Sequence, residues 1–209
     1  MSNPFSSRFI RPGATEFIFP DGLSAAVLLA RLREQQWTGE IVGPHGSGKS
    51  TLLATLLPLL EAERMPIVNL TLHDGQRRLP TSFADLANVG GAGPRLIVVD
   101  GYEQLSRWSR WRLERWRRRR DCGLLVTSHA PTGLPLLLRT VATAELAERV
   151  VQRLLPAGDR LVTTADVRNC FTEQHGNVRE ALFALYRLYE QRRRVALPDF
   201  APAPSARSS

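Results

Sequence analysis

Gly43-Pro44-His45-Gly46-Ser47-Gly48-Lys49-Ser50 is the stretch that decides how this chain folds. It has the pattern Gly-x4-Gly-Lys-Ser. Just before it, Glu40 to Val42 reads as a short strand running into the loop. Just after it, Lys49 to Leu60 reads as a helix, expected to end near Pro58 or soon after, because proline cannot continue the hydrogen-bond ladder. A glycine-rich turn between strand and helix lets backbone amides point inward. The helix N-terminus adds a partial positive charge. Both features attract phosphate oxygens. Chance explains glycines in a turn; it does not explain Lys49-Ser50 in register between a strand and a helix.

The rest of the loop follows from this. Lys49 is expected to reach the β- and γ-phosphates of a nucleoside triphosphate, and the Ser50 hydroxyl to ligate magnesium. Gly43 through Ser50, with Thr51, form the expected nucleotide-contacting set, and the expected cofactors are ATP (or GTP) and Mg2+. Of the 28 lysines and arginines in the chain, Lys49 alone is lysine. A compact ammonium on a flexible stem reaches between phosphates in a way that a planar guanidinium does not.

The 209 residues suffice for one sizeable core and a small appended unit. A hydrophobic content of 43% is ordinary for a globular protein. No apolar run approaches the roughly 18 residues of a membrane span. Met1 to Gly13 carries no apolar stretch of the secretory kind. Cys122 and Cys170 lack metal-type spacing and read as reduced thiols of a cytoplasmic protein. The net charge of +8 is local: Arg107 to Arg120 holds eight arginines and one glutamate, +7, which leaves +1 for the remainder.

Strand and helix patterns alternate along the first two thirds. Asp21 to Gln36 reads as an amphipathic helix with Leu23, Val27, Leu28 and Leu32 near one face. Pro66 to Leu72 reads as a strand, and Ser82 to Ala87 as a short helix in an otherwise polar stretch. Arg95 to Asp100 is a continuous apolar run, as in a buried parallel strand. A helix is expected over Glu103 to Arg119, a strand over Leu124 to Thr127, and a fifth strand near Thr140 to Thr143. From Ala144 the pattern is helical throughout: Ala144 to Leu155, Thr164 to His175 and Asn177 to Arg194. The expected architecture is α/β, a parallel sheet covered by helices on both faces, with a small C-terminal helical lid. Its parts are an N-terminal segment and helix (1–37), a nucleotide-binding core (38–143), the lid (144–195) and a disordered tail rich in Pro, Ala and Ser (196–209).

Three further positions carry candidate chemistry. Leu96-Ile97-Val98-Val99-Asp100 is an apolar strand ending in a carboxylate, the place where such folds hold the metal through a water. Asp100 is therefore the expected second metal residue beside Ser50; the plain alternative is a turn-forming Asp. Gly101 follows, where many ATPases have Glu. The nearest carboxylate is Glu103, the candidate base that polarises the attacking water, or an ordinary first-turn Glu favoured by the helix dipole. The strand Leu124 to Thr127 runs into Ser128 and His129. Thr127 or Ser128 is the expected contact to the γ-phosphate or its water, with His129 a further candidate.

In this order of loop, apolar strand with Asp, and strand with a polar tip, the chain resembles the AAA+ and STAND branches of the P-loop ATPases. Asp100-Gly101-Tyr102-Glu103-Gln104-Leu105 is similar to the STAND version, with Gln104 where a second acid is usual. Gly176-Asn177-Val178-Arg179-Glu180-Ala181-Leu182 resembles the sensor 2 helix of the AAA+ lid, which implies that Arg179 reaches the γ-phosphate; otherwise Arg179 is a solvated helix residue. Leu134 to Arg139 resembles the stretch before the lid, which makes Arg139 a candidate finger into a neighbouring copy and a homo-oligomer conceivable. The resemblance spans about residues 38 to 190.

Arg107 to Arg120 is the last motif. On a helical wheel Leu105, Trp108, Trp111, Leu113 and Trp116 share one arc, and Arg107, Arg110 and Arg117 lie opposite. The simplest expectation packs the Trp arc on the sheet and solvates the Arg arc. The alternatives require an anionic partner: DNA or RNA, an acidic protein, or an anionic membrane surface.

The sequence thus reads as a magnesium-dependent ATP-binding protein, an AAA+-like ATPase of slow turnover acting as a nucleotide-driven switch or accessory ATPase. Lys49, Glu103, Thr127 and Arg179 are its candidate catalytic residues. The rival readings are a non-hydrolysing ATP-binding module and a P-loop small-molecule kinase.

Overall fold

The computed structural model describes residues 3–11 and 13–196. In chain order the elements are α1 (Ser7–Ile10), α2 (Ala25–Glu34), β1 (Thr38–Val42), α3 (Lys49–Ala62), β2 (Ile67–Thr71), α4 (Phe83–Asn88), β3 (Leu96–Asp100), α5 (Arg107–Arg118), β4 (Gly123–Ser128), β5 (Leu136–Arg139), α6 (Ala144–Leu154), α7 (Thr164–Glu173) and α8 (Val178–Ala196). The expected tail lies outside the described residues, apart from Ala196, whose backbone closes α8.

The five strands form one all-parallel sheet in the order β2-β3-β4-β1-β5. Alternate side chains of a strand face opposite sides, and both sides here are covered. Leu96 and Val98 of β3 pack with Leu52, Leu56 and Leu60 of α3 and Leu28 and Leu32 of α2. Ile97 and Val99 pack on the other side with Leu86, Leu105 and Leu113. Glu40 is buried in β1, where its Oε2 accepts from Thr132 N and Oγ1 at 2.7 and 2.5 Å. A paired carboxylate at that depth ties the connection after β4 to the sheet.

Four expectations are corrected. First, α3 runs two residues beyond the expected end at Leu60, passing through Pro58 to Ala62. Proline removes one ladder bond at a cost of about 3 kcal/mol, and the fully buried Leu60 beyond it offsets much of that loss. Second, the fifth strand is Leu136–Arg139, pairing with β1, and not Thr140 to Thr143. The β-branched run that suggests a strand serves other ends: Thr140 Oγ1 meets Ser47 Oγ at 2.6 Å, and Thr143 Oγ1 caps α6 by accepting from Leu146 N. Third, the helix expected from Glu103 is split. Tyr102–Gln104 is a 3-10 turn, and Ser106 caps a new helix by accepting from Ser109 N. Fourth, the Trp arc packs only in part: Leu105, Leu113 and Trp116 join the cluster on that side of the sheet, whereas Trp108 and Trp111 are 63% and 52% exposed. Leu113 and Ser109 are the buried residues of α5, with Trp116 partly covered.

Helices α6 to α8 bury their own cluster, Ala147, Val151, Val167, Ala181 and Leu185 among it. Phe5 from the N-terminal segment is fully buried in that cluster, edge-on to Tyr189 with ring centroids 5.9 Å apart. Asn3 Nδ2 donates to Tyr186 O and Glu190 Oε1. The sequence alone assigns residues 1–37 no such partner. In α7 the Thr163–Asp166 capping box is extended, because Arg192 Nη1 and Nη2 donate to both carboxylate oxygens of Asp166 at 2.6 and 2.8 Å.

Those Arg192 bonds, with Thr163, hold the Asp166 carboxyl well below the usual carboxylate range. A folded pKa below the unfolded value of about 3.9 stabilises the protein fully above that value, and the contribution fades as pH falls toward the folded pKa. Wild type is therefore expected to melt above Asp166→Asn at pH 7, with the gap narrowing steadily from pH 4 downward. A gap independent of pH in melting curves from pH 7 to 2 would reject this assignment.

Candidate functional site

The strand order explains why distant residues meet. β4 lies between β1 and β3, so the loop after β1, the end of β3 and the tip of β4 emerge side by side at the carboxyl edge of the sheet. Ligands of open α/β sheets bind at that edge. Gly43 to Ser50 follows β1, Asp100 ends β3, and Thr127, Ser128 and His129 follow from β4.

Lys49 begins α3 and is largely buried. Its Nζ donates to Gly43 O and Pro44 O at 2.7 and 2.8 Å and lies 3.3 Å from His129 Nδ1. His129 Nε2 lies 2.7 Å from Glu103 Oε1. The two contacts fix the tautomer: Nδ1 accepts from the ammonium and Nε2–H donates to the carboxylate. Burial lowers the His129 pKa, the Lys49 charge lowers it further, and Glu103 works against them, which favours the neutral ring. The ring lies against His45, centroids 3.6 Å apart and tilted by 32°. Burial also lowers the Lys49 pKa, while Glu103 and Asp100 raise it.

Glu103 is thus joined through His129 to the loop lysine. Its Oε2 is buried and has no hydrogen-bond partner among the described residues. A buried carboxyl oxygen in that position calls for a hydrogen-bond donor. Arg110 of α5 supports the turn from behind, donating from Nη2 to Glu103 O at 2.7 Å and from Nε to Leu105 O at 3.0 Å. Helical-wheel reasoning places Arg110 on the solvated arc and misses this role.

Gly101 now has a physical account. Its φ is +84°, and a Cβ there would stand 3.0 Å from Leu72 O. The chain turns left-handed directly after Asp100, so a carboxylate at 101 would be strained. The acid arrives two residues later, on the 3-10 turn.

Asp100 Oδ1 accepts from Thr127 Oγ1 at 2.5 Å, and Gly101 N donates to the same hydroxyl at 2.9 Å. Thr127 therefore fixes the end of β3. Ser128 is fully buried and donates to Ala130 O at 2.7 Å. Of the three residues considered at the tip of β4, His129 is the one whose side chain meets the loop after β1, at Lys49 and His45. Thr127 is the only hydrogen-bond donor to the Asp100 carboxylate among the described residues. A carboxylate with spare acceptor capacity, together with the Ser50 hydroxyl at the start of α3, is an oxygen donor set that suits magnesium. No group of three or more His, Cys, Asp or Glu side chains able to hold a metal ion occurs among the described residues. The remaining coordination would come from phosphate oxygens and water, as is usual for this ion.

The lid completes the cleft. Gly46 to Thr51, Phe17 and Ile18, Leu146 and Val150, and Val178 and Arg179 line it. Arg179 sits in the first turn of α8, where the helix dipole disfavours a cation unless an anion is close. Arg139 ends β5 opposite Val42 and is exposed. Both cysteines are buried and free. No helix among the described residues is long and apolar enough to cross a membrane.

An all-parallel sheet of this order, with a phosphate-type loop after β1, an acid at the end of β3 and a C-terminal helical bundle over the loop, defines the class: the chain has the AAA+ type of P-loop NTPase fold. Solved structures of replication initiators share it. The replication initiator DnaA bound to AMPPCP and single-stranded DNA matches with a TM-score of 0.51 at 14% identity, over 83% of this chain and 63% of that one. AMPPCP-bound DnaA from Aquifex aeolicus gives 0.54 at 13% identity, over 84% and 64%. A DNA replication initiation factor gives 0.53 at 13%, over 85% and 66%. The chain thus spans slightly less than two thirds of the length of these proteins. At such identities the likeness is one of fold. No protein-family model matches the chain, and the comparison with curated proteins gives no match.

Proposed function

We propose that this chain is a magnesium-dependent ATPase of slow turnover whose nucleotide state is read by the helices over the loop. The observation that carries the proposal is the chain of contacts Lys49–His129–Glu103, which ties the residue expected at the phosphates to a carboxylate with an unpartnered buried oxygen. Two of the solved neighbours hold AMPPCP, an ATP analogue, which favours adenine over guanine.

In this reading Gly43 to Thr51 embraces the phosphates, Lys49 neutralises their charge, and Ser50 and Asp100 hold magnesium, which screens the triphosphate when bound. Thr127 orients Asp100. Glu103 takes a hydrogen bond from the attacking water and then its proton, so that the oxygen bonds to the γ-phosphorus as the bond to the leaving diphosphate breaks. Catalysis is by positioning and charge stabilisation. Arg179 meets the γ-phosphate from the lid, residues 144–195, and its release on hydrolysis is the switch. The lack of an acid directly after Asp100 fits slow turnover. Two buried free thiols fit a reducing, cytoplasmic setting.

Glu103→Gln keeps shape and volume and removes the charge. Turnover is expected to fall about 100-fold or more, with ATP affinity within a few-fold of wild type. Phosphate release under single-turnover conditions, paired with equilibrium binding of a fluorescent ATP analogue, makes the comparison. Unchanged turnover with intact binding would remove Glu103 from the mechanism. Binding without turnover in the wild type would leave a non-hydrolysing nucleotide module.

A further inference from the structure

The outer face of α5 takes no part in the nucleotide cleft and is built unlike a solvated helix surface. Trp108 and Trp111 are stacked on each other, centroids 4.9 Å apart and 19° from parallel, although both are more than half exposed. With Arg112, Arg115, Arg119 and Arg120 they line an open groove. Phe83 of α4 and Trp116 form its floor, 5.7 Å apart.

Glu114 is the one acid of α5, and Arg117 and Arg118 engage it. Among the described residues none of the four groove arginines has a carboxylate partner; three of them lie over rings, Arg112 on Phe83, Arg115 on Trp111 and Arg120 on Trp116, at 5.1 to 5.7 Å. Arg112, Arg115 and Arg119 are neighbours at helical spacings of three and four, where like charges oppose the helix. An exposed aromatic pair opposes solvation as well. A partner that relieves both must bring flat apolar faces and negative charge in one ligand.

We propose that this groove binds single-stranded nucleic acid, with unpaired bases stacking on Trp108 and Trp111 and phosphates on the groove arginines. Stacking platforms beside cations are the general means of holding a single strand without reading its sequence. A duplex hides its base faces, an acidic peptide supplies charge without rings, and a bilayer needs a flat or convex face where α4 and α5 form a concave one. The inference is separate from the nucleotide reading, since it uses no residue of the cleft.

The test is fluorescence anisotropy of fluorescein-labelled (dT)20 titrated with the full chain at 50 to 300 mM salt. Competitors are a 20-bp duplex, an oligoglutamate peptide and anionic phosphatidylserine vesicles. The expected result is binding of (dT)20 that Trp108→Ala with Trp111→Ala weakens tenfold or more. Arg115→Ala with Arg119→Ala should flatten the log–log salt slope by roughly 0.7 for each phosphate no longer neutralised. Both Trp side chains are exposed, and melting curves check that the fold is kept; the arginine pair supplies a second reading with the rings in place. Absence of (dT)20 binding at 50 mM salt, affinity indifferent to the Trp pair, or tighter binding of the duplex, peptide or vesicles would each overturn the proposal.

Discussion

ATP with magnesium at a hundred times its Kd is expected to raise the melting temperature of the wild-type chain by roughly 5–10 °C, and Lys49→Ala to abolish that rise. Ligand at that excess stabilises by about 2.7 kcal/mol, and a protein of this size gains roughly 2–4 °C per kcal/mol. The loss should be nearly complete because of what surrounds the ammonium. The Lys49 ammonium is held inside the loop by Gly43 O, Pro44 O and His129 Nδ1. Burial lowers its pKa, and two nearby carboxylates, Glu103 and Asp100, oppose that shift and favour the charged form. Without the ammonium, the phosphates would face those two acids with only the loop amides, the metal and the lid's Arg179 to offset them, and charge-assisted bonds are about twice as strong as neutral ones. Lys49→Arg should fail also, since a rigid planar fork does not fit between the loop carbonyls. The substitution itself should be tolerated: alanine is favourable in a helix. Melting temperatures of wild type and variant, each with and without ATP and magnesium, decide the matter. A full ligand shift in Lys49→Ala would refute the placement of the phosphates at this loop.

What is legible in the chain and what is not follows from the range of the interactions. Gly43 to Ser50 is readable because strand, turn and helix are adjacent, so local backbone chemistry sets their geometry. Leu96 to Asp100 is readable because a strand buried on both sides is apolar throughout. His129 ranks below Thr127 and Ser128 as a phosphate-side contact on sequence grounds, although its side chain is the one that meets Lys49 and Glu103. Nothing local distinguishes a hydroxyl spent on Asp100 or Ala130 from one left for a ligand. Phe5 is silent for the same reason: its partner Tyr189 lies at the far end of the chain. Trp108 and Trp111 mislead the helical wheel, because amphipathic periodicity assigns apolar residues to the core and has no way to mark a face kept for a partner. The Thr140 to Thr143 run misleads by propensity, its β-branched residues serving as a loop tether and a helix cap.

Gly46→Ala is expected to destabilise the chain by about 2 kcal/mol or more and to weaken ATP binding along with it. The first cost is conformational: Gly46 has φ +69°, where a side chain costs roughly 1 kcal/mol. The second comes from the lid. A Cβ at position 46 would lie 1.9 Å from Asn177 Oδ1, 2.6 Å from Asn177 Cγ and 3.2 Å from Val178 N. Asn177 is not free to turn aside, because its Oδ1 accepts from Glu180 N at 3.2 Å and so caps the start of α8. Losing that cap costs about 1 kcal/mol, and keeping it requires α8 to move off the loop, carrying Arg179 in its first turn away from the phosphates. The two costs can be separated. Asn177→Gly removes the obstructing atoms, and glycine replaces an Asn cap at a loss of only a few tenths of a kcal/mol. In the double variant Gly46→Ala with Asn177→Gly, the penalty of the alanine should shrink to its conformational part, giving a favourable interaction energy of about 1 kcal/mol in a cycle of four urea denaturation curves. ATP affinity should recover in parallel, since α8 could return to its place. Strict additivity of the two substitutions would mean that loop and lid do not bear on each other at this contact, and that the lid helix takes no reading of the phosphate loop through it.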